Sequence, residues 1–206
     1  MRKRAGFMKI IVVGGSGTIG SPVVAELRKR HQVVVVGKNS GDFRVDITDE
    51  ASILKMYKEV GEFDAVVSAA GSAHFGDFRS AGHEDLMLGV KSKLMGQINL
   101  VRIGSRLINH GGSFTLTSGV LGDDPVRTGV NSSFVNGGLN AFVGAAALEM
   151  DRGIRVNVVS PGLVEESSAE LGYLFPGHVP VKMKRVVPAY VKSVEGARSG
   201  EVIRVY

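Results

Sequence analysis

Short runs of apolar, mostly β-branched residues recur along this chain, and nearly every one is followed by a longer segment with helical periodicity. Lys9–Val13, Val33–Val36, Asp64–Ser68, Ser113–Thr117, Ile154–Val159 and Glu201–Val205 read as strands, with Val45–Ile47 as a shorter one. Strands that are apolar throughout have no wet face, so helices must cover both sides of their sheet. The intervening segments supply those helices. They run from the glycine turn after Val13 to about Arg30, from a Thr48 or Asp49 cap to about Val60, across His83–Asn109 as one helix or two, over Asn131–Met150, and over Val186–Glu195. The stretch from Ser160 to Met183 reads as a loop. The pattern predicts one α/β domain, a doubly wound Rossmann-type fold with a seven-stranded parallel sheet and helices on both faces.

Composition removes several classes of function. The 206 residues contain no Cys, which excludes disulfides, thiolate metal sites and a cysteine nucleophile. Gly, at 28 residues, is about twice its usual share of roughly 7%, so the backbone must turn tightly or approach something closely at many places. The formal charge is +5, but Arg2, Lys3 and Arg4 supply much of it ahead of a second methionine, Met8. Residues 1–7 read as a disordered basic leader and 8–206 as the folded domain. Lys182, Lys184 and Arg185 are the other basic group, without interleaved aromatics for base stacking. These features predict no nucleic-acid partner. No apolar run approaches the roughly 20 residues of a membrane span, and the run after the basic start is too short for a secretory signal. The expectation is a cytoplasmic protein with no membrane partner.

The first strand ends in Gly14-Gly15-Ser16-Gly17-Thr18-Ile19-Gly20. A glycine turn between a first strand and its helix lets backbone approach a pyrophosphate and directs the helix N-terminus at its charge. The end of the second strand discriminates between dinucleotides, since an acid there binds a ribose 2′-hydroxyl and a base accommodates a 2′-phosphate. Here the residues are Gly37-Lys38-Asn39-Ser40, with no acid before Asp42. They predict NADP(H) in preference to NAD(H).

Six segments in register then resemble the short-chain dehydrogenases/reductases over nearly the whole length. They are Gly14–Gly20; Asp46-Ile47, similar to an adenine-contacting segment; Ala69-Ala70-Gly71, close to Asn-Ala-Gly; Leu116-Thr117-Ser118, like the strand ending in a catalytic serine; Arg152–Gly162, which ends in a Pro161-Gly162 cofactor loop; and Ser199–Tyr206, like the last strand. The resemblance implies that the backbone of Val164 meets the nicotinamide carboxamide. It also implies a hydride transfer between NADP(H) and a small carbonyl or alcohol.

The family's proton donor is a tyrosine in Tyr-x-x-x-Lys, aided by a serine and by an asparagine on an earlier helix. Aligned back from Arg152, this chain has Ser132 at the tyrosine position and Asn136 at the lysine position, and no tyrosine lies between Tyr57 and Tyr173. On the earlier helix, Lys93-Leu-Met-Gly96 stands where Asn-x-x-Gly is usual. The exchange of lysine and asparagine is similar to that in the ketoreductase domains of polyketide and fatty-acid synthases. The catalytic set implied is therefore Ser118, Lys93, Ser132 and Asn136, short of one phenol. Ser132 also reads as a helix-start residue, because Asn131, Ser132 and Ser133 all suit an N-cap. His74 and Tyr173 are further candidates for the substrate side, and no residues have credible metal spacing. The Gly- and Ala-rich helix Gly137–Leu148 implies a homodimer or homotetramer. A slow reductase is the leading reading, and a non-catalytic NADP(H)-binding sensor or scaffold is the alternative.

Overall fold

A computed structural model describes residues 6–206. The basic cluster Arg2, Lys3 and Arg4 lies outside the described residues, and residues 6 and 7 precede the first strand in irregular backbone. Seven strands form one parallel sheet: β1 Lys9–Val13, β2 Gln32–Gly37, β3 Phe43–Arg44, β4 Ala65–Ser68, β5 Ser113–Thr117, β6 Arg155–Pro161 and β7 Val202–Val205. Their spatial order is β3-β2-β1-β4-β5-β6-β7. The order reverses between β1 and β4, and a crevice opens outside the carboxyl ends of the strands at such a point.

The helices are α1 Gly20–Leu27, α2 Glu50–Val60, α3 His83–Gly89, α4 Gly96–Gly104, α5 Val130–Glu149, α6 Glu165–Leu171 and α7 Met183–Glu195. Period-two alternation along β1 shows how they divide. Ile11 and Val13 pack with Ile53, Met56 and Tyr57 of α2, Leu100 of α4 and Leu139 of α5. Ile10 and Val12 pack on the opposite face with Val23 and Leu27 of α1 and Val186 and Tyr190 of α7. All four β1 residues are at most 1% exposed, so both faces of the strand are dry and the unbroken apolar run is explained.

Three local expectations need correction. The third strand is Phe43–Arg44, not Val45–Ile47. Asp42 bonds back to Val35 through both its N–H and its carboxylate, and this sets the register Val36↔Phe43. Val45 and Ile47 are buried beyond the end of the strand, where the Val45 N–H still donates to the Gly37 carbonyl at 3.1 Å. The segment after Ser160 is not a continuous loop, because β6 extends to Pro161 and α6 follows. Nor does a polar side chain cap α5. Its N-cap is Gly129, and Asn131 and Ser132 are buried inside the first turn. The long helical region is one run in which a π-helical segment, Val90–Met95, joins α3 to α4.

Candidate active site

The carboxyl ends of β1, β4, β5 and β6 converge on a cleft of about 270 Å³. Of the residues singled out from sequence, Ile19, Gly71, Lys93, Ser118, Ser132, Asn136, Pro161, Gly162 and Val164 line it together. The remaining ones lie along the same sheet edge: Gly14, Gly15, Ser16, Gly17, Thr18 and Gly20 after β1, Gly37, Lys38 and Asn39 at the end of β2, Asp46 and Ile47 after β3, and Ala69 and Ala70 after β4.

The turn after β1 is tight because its glycines touch one another. The Gly17 N–H donates to the Gly14 carbonyl at 3.0 Å, and a Cβ at Gly20 would collide with that same oxygen. Beside it, Ser16 Oγ and Ser40 Oγ are 2.8 Å apart, which ties the turn to the end of β2. Lys38 Nζ lies 2.8 Å from Asp46 Oδ2. Hydrogen bonds from Lys38 and Thr48 hold the Asp46 carboxyl down to about 2, so Asp46 stays ionised through the physiological range. Lys38 and Asp46 thus face one another across the end of β2.

Ser118, Ser132, Asn136 and Lys93 reach the cleft from three elements. Ser118 follows β5 and is held by its N–H to the Val159 carbonyl at 2.9 Å. Asn136 and Ser132 project from α5, one turn apart, and both are buried. Lys93 is half-buried in the π-helical segment, a widened turn that recurs at functional sites. No ion pair or hydrogen bond engages its ammonium among the described residues. Burial lowers the Lys93 pKa to about 8. Gly71, at φ +118°, brings the loop after β4 directly onto this segment; a Cβ there would stand 2.7 Å from Lys93 Cα. The Ser118 hydroxyl and the Asn136 carbonyl oxygen are buried and lack hydrogen-bond partners.

Sequence reasoning missed the side chain that joins these parts. Gln97 is fully buried; its Nε2 donates to the Lys93 carbonyl at 3.0 Å and the Thr117 carbonyl at 2.9 Å, and its Oε1 accepts from the Thr117 N–H at 2.9 Å. It therefore fixes the π-helical segment against the residue preceding Ser118. The available signal was a glutamine on the helix face shared by Leu94, Leu100 and Val101. Asn131 is a second such residue. It accepts from the His74 N–H at 2.8 Å and donates to the Leu86 carbonyl at 2.6 Å, tying the loop after β4 to α3.

Neither alternative donor proposed from sequence reaches the cleft. His74 packs on Gly76 with Nδ1 3.9 Å from Asp85, and its neighbours Ala73 and Phe75 line the cleft instead. Tyr173 is 81% exposed and borders a separate surface cavity with Asp124 and His178. The outer wall of the cleft comes from a flap that leaves the sheet at Leu163 and returns at Val181. Its two ends are clasped by a parallel bridge between Val164 and Val181. The bridge uses the Leu163 carbonyl and the Glu165 N–H, so the Val164 N–H stays out of it.

The family described as enoyl-(acyl carrier protein) reductase matches residues 18–175. A crystal structure of the protein lin1944 from Listeria innocua is 47% identical, with a TM-score of 0.95 over 97% of this chain and 100% of that one. A small-chain dehydrogenase in complex with NADPH is 26% identical, with a TM-score of 0.84 over 97% of this chain and 96% of its own. An uncharacterized oxidoreductase of Methylorubrum extorquens is 27% identical over 178 residues, covering 75% of this chain and 72% of the relative. Among the described residues no helix is long and apolar enough to cross a membrane, and no group of three or more His, Asp or Glu could hold a metal ion.

Proposed function

Because this chain belongs to the short-chain dehydrogenase/reductase family of oxidoreductases, we propose that it is an NADP(H)-dependent enzyme that exchanges a hydride with a small carbonyl or alcohol, slowly. The observation that carries this reading is the pair of unpartnered buried atoms, Ser118 Oγ and Asn136 Oδ1, beside Lys93 in one cleft. A buried polar group without a partner costs about 1–3 kcal/mol, and a bound ligand that supplies partners removes the cost.

The residues present fit a nicotinamide dinucleotide. The Gly14–Gly20 turn and the α1 N-terminus would take the pyrophosphate. Ser16, Lys38, Asn39 and Ser40 would surround a 2′-phosphate, with Asp46 giving up its share of Lys38. Asp46, Ile47, Ala69, Ala70 and Gly71 would border the adenosine side, and Lys93 and Asn136 the nicotinamide ribose. Pro161, Gly162 and the free Val164 N–H would meet the nicotinamide. When bound, the reduced cofactor supplies the hydride.

The rest of the chemistry falls to side chains of the chain. Ser118 donates its hydroxyl proton in a hydrogen bond to the substrate oxygen as negative charge develops there. Ser132 stands where the family has its phenol and is a far weaker acid, so the proton reaches the oxygen from water through Ser132 or from the Lys93 ammonium. With its pKa near 8, that ammonium releases a proton more readily than an exposed lysine. A positioned general acid contributes about 10²–10⁴-fold, which sets how much rate the missing tyrosine removes.

Turnover of small neutral aldehydes and ketones with NADPH tests the proposal. Slow reduction is expected, lost in Ser118→Ala and raised about 100-fold in Ser132→Tyr. Tight NADPH binding without turnover by the parent or by Ser132→Tyr would replace the enzyme with a sensor or scaffold, and no NADPH binding would sink both. We also propose a homodimer or homotetramer, because α3, the π-helical segment and α5 leave Leu88, Met95 and Phe134 about 40% exposed. A monomer in sedimentation at micromolar concentration would remove that part.

A further inference from the structure

The two ends of the cleft differ in chemistry. Ser118, Ser132, Asn136 and Lys93 crowd the end against the sheet. The far wall is built by Phe75 from the loop after β4, Leu121 from the turn after Ser118, and Leu163, Leu171 and Phe175 from the flap. Those five belong to one small apolar cluster, separate from the two clusters that cover the sheet. Lys93 is the one ionisable side chain among the residues lining the cleft, and it lies at the polar end. None of the other lining residues carries a carboxylate, guanidinium or second ammonium, and Ser167 of α6 is the one polar side chain that the flap contributes to the lining.

Size constrains the ligand as well. About 270 Å³ falls just below the roughly 300–1,000 Å³ of pockets that hold drug-sized ligands, and a nicotinamide would share the space. A substrate whose carbonyl reaches Ser118 must lay its other end among Leu121, Leu171 and Phe175. An ionised group there gives up part of its water shell and finds no opposite charge to pair with.

Resting on the oxidoreductase reading above, we propose that the substrates are small uncharged aldehydes or ketones with a compact apolar tail. The cluster of Phe75, Leu121, Leu163, Leu171 and Phe175 determines that specificity. Molecules with a charge at the tail end are rejected by the wall, whatever their fit at the carbonyl.

The experiment pairs hexanal with 6-oxohexanoate, the same chain ending in a carboxylate, in NADPH oxidation. The expected kcat/KM is at least 100-fold higher for hexanal. Leu171→Arg, at the end of α6 and away from the sheet, should bring the ratio below tenfold by accelerating 6-oxohexanoate. A merely structural role for Leu171 would slow both substrates alike. Equal rates on the two in the parent would overturn the proposal. So would a tenfold preference for 2-oxohexanoate over 2-hexanone, since that would mean Lys93 recruits a carboxylate beside the carbonyl. A binding arm separates this inference from the reading it rests on. Hexanamide and 6-amino-6-oxohexanoate, unreactive counterparts, are titrated calorimetrically into NADPH-saturated protein. Hexanamide binding at least tenfold tighter, with no aldehyde reduced, would discard the oxidoreductase and keep the specificity of the wall. Equal affinity, or binding of neither, would discard the wall.

Discussion

Replacing Lys93 with methionine should stabilise the protein near neutral pH, and the gain should fade in alkali. The Lys93 pKa falls from an ordinary value of 10.5 to about 8 because folding removes water from its ammonium. At about 1.36 kcal/mol per pH unit, that fall means folding carries a penalty of about 3 kcal/mol whenever the lysine is charged in both states. The sign follows from proton counts: between about pH 8 and 10.5 the unfolded chain binds the extra proton, so stability contributed at this site rises with pH. The penalty is therefore about 3 kcal/mol at pH 7 and roughly 1.5 kcal/mol at pH 9.5. Lys93→Met removes the charge and keeps most of the side-chain volume. Urea unfolding of parent and variant at both pH values measures the difference directly, and the gain should shrink by roughly 1.5–2 kcal/mol between them. For a chain of this size, about 3 kcal/mol corresponds to roughly 6–12 °C in Tm. A gain that is absent, or the same at the two pH values, would refute the view that desolvation governs this lysine. The variant should at the same time lose reductase activity, so stability and function pull in opposite directions at one residue.

Gln97→Leu should destabilise by about 2–4 kcal/mol in urea, because the Thr117 N–H and carbonyl lose their buried partner. Gln97→Glu sets a carboxylate oxygen against the Lys93 and Thr117 carbonyls, so it should recover part of that loss only in acid, where the protonated group can donate. Lys38→Ala should weaken NADPH binding by about 10–100-fold and leave NADH nearly unchanged in fluorescence titrations, the scale of one charge-assisted contact. Asp46→Asn should shift the preference the other way, since it frees Lys38 from its 2.8 Å ion pair.

Much of the sheet was readable because its strands announce themselves twice, by unbroken apolar content and by position before a helix. Val33–Val36 has no other use for four valines in a row, and the structure buries Val34 and Val36 on one face. The third strand was misplaced for a physical reason. Val45 and Ile47 are as buried as strand residues, and burial is what an apolar pattern reports, whereas pairing is decided by the Asp42 turn that aligns Phe43 with Val36. The helix Glu165–Leu171 was missed because it is short and polar, although Glu165 and Glu166 in its first turn were a usable sign. Ser118, Lys93, Ser132 and Asn136 were legible through the resemblance to the family's motifs, and the fold brings the four to one cleft. Gln97 was not, because its importance lies in three bonds to backbone that only the folded chain brings within reach.

The clasp between Val164 and Val181 has a consequence for how such a protein diversifies. Because the flap departs and returns side by side, its ends stay together whatever lies between them, and the entropy of closing a longer segment grows only as the logarithm of its length. Residues 165–180 therefore behave as a cassette. They can be lengthened, shortened or exchanged for another sequence while β6, α7 and the turn after β1 keep their packing. A chain built this way can change what it recognises without having to relearn how to fold.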